Sequence, residues 1–236
     1  MARLSFRFPT IRSTAGAMAI ALIVVSVLVA VVKPLQVLLP LWPEAVLRGF
    51  VWQLVTYGLV EVSPMGVIFG ALITWSIGSG LEMQWGRKRF LWFTFGVVTL
   101  GAVFTVLLSL VLPDLVRSGY PGGTVLTGSL WVAYGLQIGR GQTNFWGAPV
   151  TGNVLALIGV GFVFLNAAFA GLSHVIPEAF ALLATFLYMR GARPSELLLR
   201  FRSWQLERDL KKRSSHLRGI DGGRRNVGGD SDKYLH

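Results

Sequence analysis

Long apolar runs alternate with short polar or basic segments along most of the chain. Stretches almost free of charge fall at Ala15–Val32, Gly66–Leu81, Phe90–Leu112, Thr124–Gly139, Pro149–Asn166 and Leu172–Met189. Each approaches the ~20 residues a helix needs to cross ~30 Å of hydrocarbon, so the pattern predicts a bundle of six membrane-spanning helices. The stretch from Lys33 to Met65 is apolar but broken by Pro34, Pro40, Pro43 and Pro64, and it carries Trp42, Phe50, Trp52 and Tyr57. Prolines interrupt helices and aromatic rings favour headgroup depth, so this segment is expected to lie in the interface without crossing it. Arg3, Arg7 and Arg12 followed by an apolar run have the outline of a signal peptide. The run is long enough to span and has no small-x-small cleavage pattern near its end, so it reads as an anchored first helix.

The basic residues orient this pattern. Arg87, Lys88 and Arg89 follow the second run, Arg140 follows the fourth, and the tail from Arg190 onward is strongly basic. The alternate loops are nearly neutral, with Lys33 and Arg48 against Glu44 and Glu61, and Asp114 against Arg117. With an inside N-terminus and six spans, every basic segment falls on the cytoplasmic side. Three parts follow: a cytoplasmic N-terminal segment 1–14, a six-span membrane body 15–190, and a basic cytoplasmic tail 191–236. In the tail, Ser195 to Leu217 mixes Leu, Phe and Trp with Arg and Lys and is expected to form an amphipathic helix on anionic lipid. The Gly-rich polar stretch from Arg218 is expected to be disordered. Both termini are thus expected in the cytoplasm, and the loop charges without targeting or glycan signals point to a bacterial inner membrane.

Composition agrees with a lipid solvent: 53% of residues are hydrophobic and only 14% charged, with a mean hydropathy of +0.60. The net charge of +11 is explained by basic loops and tail, so nucleic acid is not an expected partner. With no cysteine, the chain has no disulfide or thiolate chemistry. His174 is the only histidine outside the polar tail, so neither a metal site nor a cofactor is expected in the body.

Several residues in order carry a family likeness. Trp52, Glu82, Gly86 and Arg89-Phe90, then the fourth run GGTVLTGSLWVAYG (Gly122 to Gly135) and the sixth, SHVIPEAFALLATFLYMR, resemble the rhomboid intramembrane serine proteases over about Gly49 to Arg190. The resemblance implies an all-α, six-helix rhomboid-like bundle. It also implies a serine nucleophile at the start of the fourth helix, a histidine base on the sixth, and oxyanion donors on the second.

His174 matches the base, and an ionisable residue in an apolar span is by default a functional candidate. Glu178, one turn on, is the other ionisable residue in the spans and a candidate hydrogen-bond partner for it. The nucleophile position departs from the family. Ungapped alignment puts Thr127 there, while Ser129 lies two residues on, turned about 200° around the helix. The oxyanion positions fall on Gly66 and Gly70, which have no side-chain donor; as GxxxG they are expected to let helix backbones pack closely. Pro177 and Ala181 stand where the resemblance has packing glycines.

The candidate catalytic residues are therefore Ser129, His174 and Thr127, and two functions remain open. One is a pseudoprotease-like binder of the transmembrane segments of other membrane proteins. The other is an active intramembrane serine endopeptidase using a Ser129–His174 dyad. A channel or transporter would need more ionisable or broken helices near the midplane than His174 and Glu178 provide.

Overall fold

The structure, a computed structural model, describes residues 13–145 and 148–191. In chain order these form α1 (Thr14–Val31), the short helices α2 (Leu35–Leu38), α3 (Pro43–Leu47) and α4 (Gln53–Thr56), then α5 (Pro64–Trp85), α6 (Arg87–Ser109) and α7 (Gly123–Ile138). A small hairpin, β1 (Gln142–Phe145) and β2 (Ala148–Thr151), leads to α8 (Gly152–Ala170) and α9 (Ile176–Met189). The N-terminal residues 1–12 and the tail beyond Gly191, to which an amphipathic and a disordered part were assigned, lie outside the described residues.

Among the described residues, five segments are long and apolar enough to cross a membrane: α1, α5, α6, α8 and Leu172–Met189, which joins a 3-10 turn to α9. The remaining expected span is α7. Its 16 residues rise only ~24 Å, less than the hydrocarbon core. It lies centrally, packed on α5, α8 and α9 and touching α6. The all-α membrane architecture expected from the pattern is the one observed, the hairpin aside.

Helix boundaries follow local chemistry. Ser13 caps α1, its hydroxyl accepting from the Gly16 N–H at 3.0 Å, and Glu82 of α5 accepts from the Thr14 and Ala15 N–H groups at 3.0 and 2.9 Å. Ser63 caps α5 by accepting from Gly66 N–H, with Pro64 in the first turn. Gly86, at φ +78°, ends α5 and starts α6 in a conformation that disfavours a side chain. Pro149 was expected inside a span. It instead pairs with Asn144 in the hairpin, and α8 begins at Gly152.

The proline-broken segment is built of short helices tied together by polar side chains. Gln53 is fully buried; its amide donates to Val37 O at 2.8 Å and accepts from Trp42 N–H at 3.0 Å. Leu41 pairs with Tyr120 in an isolated bridge, and the Gly122 and Gly123 N–H groups donate to Tyr57 O and Val60 O. These bonds fasten the segment to the start of α7. Tyr57, also fully buried, donates to Val98 O at 2.8 Å.

Close helix contacts use small residues. A Cβ at Gly135 would lie 2.5 Å from Ala156 N, so α7 meets α8 backbone to backbone there. On α6, a Cβ at Gly101 would lie 2.6 Å from Pro177 O and 3.2 Å from the Ala181 Cβ, so Pro177 and Ala181 seat α9 on α6.

Candidate functional site

The first halves of α5 and α7, the middle of α8 and the first turn of α9, with Glu61 just before α5, surround a cavity of about 400 Å³. α5 and α8 both pack on α7 but have at most incidental contact with one another. Phe69 of α5 and Phe162 of α8 line the cavity and are 44% and 52% exposed, which places its mouth in the gap between those helices.

The polar lining comes from Glu61, Thr124, Thr127, Asn166 and Glu178. Glu61 precedes α5 and is 9% exposed. Its Oε1 accepts from the Val62 and Ser63 N–H groups at 3.1 and 3.3 Å, and its own N–H donates to Ser26 Oγ on α1 at 2.9 Å. Burial pushes its carboxyl above the usual carboxylate range, and the two N–H donors oppose that rise only in part. Glu178 is 5% exposed, and its Oε2 accepts from the Asn166 amide at 3.5 Å. The expected Glu178–His174 pairing is therefore not the one observed: Glu178, in the first turn of α9, turns to the cavity and Asn166.

The glycines of α5 also act differently from expectation. A Cβ at Gly66 would sit 2.6 Å from Glu61 Cδ, and one at Gly70 would sit 3.3 Å from Thr127 Cγ2. Neither meets another helix's backbone among its nearest atoms. Gly66 instead vacates the space that the Glu61 carboxylate occupies, so what lies against it is a side chain and not backbone.

The residues expected to be catalytic are not joined. Thr127 lines the cavity, but its hydroxyl donates to Gly123 O of its own helix at 2.9 Å. Ser129 is 3% exposed, its Oγ has no hydrogen-bond partner, and it lies outside the cavity lining, as the turn of about 200° from Thr127 requires. His174 is exposed in the 3-10 turn Leu172–Val175, with Nδ1 3.4 Å from Ser173 Oγ. Its ring centroid lies 6.4 Å from that of Tyr120. Among the described residues neither candidate hydroxyl hydrogen-bonds to His174.

Glu61 and Asn166 were not singled out by sequence. In the sequence Glu61 reads only as a loop charge, and Asn166 only as the end of a span. The usable signal was a polar residue at the edge of an apolar run, since such residues are costly in lipid and tend to face a cavity. Among the described residues no three His, Asp or Glu side chains converge on a metal-binding geometry. What the arrangement offers is a pair of buried carboxylates and an amide facing a cavity whose other polar lining residues are Thr124 and Thr127.

No curated protein matches the chain. A family model described as eukaryotic integral membrane protein (DUF1751) matches residues 16–196. The expected bacterial inner membrane is corrected by that match, because the family is a eukaryotic one. Loop charges orient helices in any membrane that inserts them and do not identify the membrane. With the match covering most of the chain, from within α1 to beyond α9, the chain belongs to the DUF1751 family of eukaryotic integral membrane proteins.

Proposed function

We propose that this chain is a rhomboid-like membrane protein that binds the transmembrane segments of other membrane proteins without cleaving them. The observation that carries the reading is the state of the cavity where the rhomboid likeness locates the chemistry. The nucleophile position holds Thr127, whose hydroxyl is committed to Gly123 O. The oxyanion positions are Gly66 and Gly70, and His174 lies outside the cavity lining. A serine nucleophile needs a base within hydrogen-bond reach, and losing an oxyanion donor alone costs ~2.7–4 kcal/mol of barrier. The cavity and its mouth between α5 and α8 remain as a place for a helix to dock. Contact of the basic tail with anionic lipid belongs to the same proposal, since positive charge beside a membrane strengthens surface attachment.

The test is incubation of the purified protein with a single-span substrate in proteoliposomes, scoring cleavage and co-purification separately. Retention of the intact substrate is expected, unchanged by Ser129→Ala or His174→Ala. Cleavage abolished by both substitutions would overturn the reading in favour of an active serine endopeptidase.

A further inference from the structure

We infer that the cavity selects transmembrane segments bearing a lysine or arginine one or two turns from one end, with Glu61 and Glu178 receiving the cation. The inference rests on the transmembrane-segment-binding reading above and names the chemistry of the partner.

Its basis is the unfinished electrostatics of the cavity. Glu178 is 5% exposed, yet among the described residues no donor reaches its Oε1, and Oε2 has only the Asn166 amide at 3.5 Å, the outer limit of a hydrogen bond. Oε1 lies 3.4 Å from where a Cβ at Gly128 would stand. Glu61 places both of its short-range donors on Oε1, and its Oε2 faces α7 at Gly123. Glu178 occupies the first turn of α9, and Glu61 lies beside the first turn of α7. The partial positive charge of a helix start favours the ionised carboxylate. Among the described residues no Lys or Arg lines the cavity.

A buried carboxylate without a counter-charge is expensive, and so is a lysine or arginine inside a lipid-facing helix. Bringing the two together relieves both costs at once. A wholly apolar segment gains nothing from the carboxylates, and an acidic one is repelled by them. Depth follows from position: Glu178 is the third residue of α9, and Glu61 precedes the first residue of α5. The basic residue must therefore sit near one end of the incoming helix, where its long stem can reach between Phe69 and Phe162.

The experiment uses the full chain in nanodiscs of uncharged lipid and fluorescent single-span Leu/Ala peptides. One peptide is wholly apolar, and the others carry one Lys at successive turns from each end. A Lys within two turns of one end should tighten binding about tenfold over the apolar peptide, and a mid-span Lys much less. An E61Q/E178Q double variant should lose the Lys preference, binding Lys-bearing and apolar peptides to within about twofold of one another. Equal affinity for every peptide overturns the inference and leaves transmembrane-segment binding standing. A Lys preference that survives in the double variant overturns it as well. Absence of binding by any peptide overturns the underlying reading. Should the double variant not fold, the Lys scan on the unaltered protein decides alone.

Discussion

Gly66 is the residue on which the geometry of Glu61 turns. A methyl group at position 66 would stand 2.6 Å from Glu61 Cδ and 2.8 Å from Oε1, closer than real contacts allow. Gly66→Ala should therefore expel the carboxylate from its place over the start of α5 and cost ~1–3 kcal/mol, as overpacking does. Unfolding midpoints in mild detergent test this, and the penalty should largely vanish in a Glu61→Ala background, where the clashing atoms are gone. Glu61 also carries a pH dependence. Burial raises its carboxyl, so between its unfolded and folded titrations the folded state holds more protons than the unfolded state. Its contribution to stability is then fully present below the ordinary carboxylate range and is lost as pH rises through the raised folded value. Unfolding midpoints should fall with rising pH from about 4.5 upward, and Glu61→Gln should flatten that slope; an unchanged slope would refute the assignment. His174 shows what was readable at this scale. A lone histidine in an apolar run attracts a functional reading, but its run begins with a 3-10 turn that leaves it exposed. Glu61 was harder to read because its importance depends on a glycine five residues away and a cavity formed by four elements.

At the scale of elements, α1 is held by a cap borrowed from another helix. Glu82, near the end of α5, accepts from the free N–H groups of Thr14 and Ala15, and Ser79 Oγ lies 3.1 Å from Ser13 Oγ. A carboxylate at a helix start is favoured by the exposed N–H groups and by the helix dipole. Glu82→Ala should cost ~2 kcal/mol, since a charge-assisted bidentate cap is stronger than a neutral one. The loss should appear first as easier proteolysis near the start of α1, while α7 to α9 keep their protection. Unaltered cleavage kinetics would show that the cap carries no weight. The long helices were legible because apolar runs of spanning length have few other folds in lipid. The hairpin Gln142–Phe145 with Ala148–Thr151 was not, because its strands are short and Pro149 adjoins an apolar run that continues into α8. Nor did the prolines alone reveal how the segment before α5 is fastened. That depends on Gln53, whose amide reaches Val37 O, Leu38 O and Trp42 N–H, 16, 15 and 11 residues away.

For the whole molecule, the decisive contrast is between glycines that the scaffold needs and a glycine that the cavity needs. A Cβ at Gly135 would strike α8 backbone at 2.5 Å, so even alanine there should push α7 and α8 apart. At Gly128 the nearest atom to an added Cβ is Glu178 Oε1 at 3.4 Å, an ordinary contact, and the space beyond is the cavity. Gly128→Ala should accordingly be neutral or stabilise by up to ~1 kcal/mol through helix propensity. Gly128→Leu extends the same side chain into the cavity and should leave the unfolding midpoint close to that of the unaltered protein. If transmembrane segments dock between α5 and α8, that filled cavity should weaken their binding by at least about tenfold, the equivalent of ~1.4 kcal/mol. Measuring stability and peptide binding on the same preparations separates the two roles. A Gly128→Leu variant that is stable and still binds fully would place docking elsewhere on the bundle. One that is stable and does not bind would locate it in the gap between α5 and α8, beside the cavity that Thr127, Gly66 and the two carboxylates line.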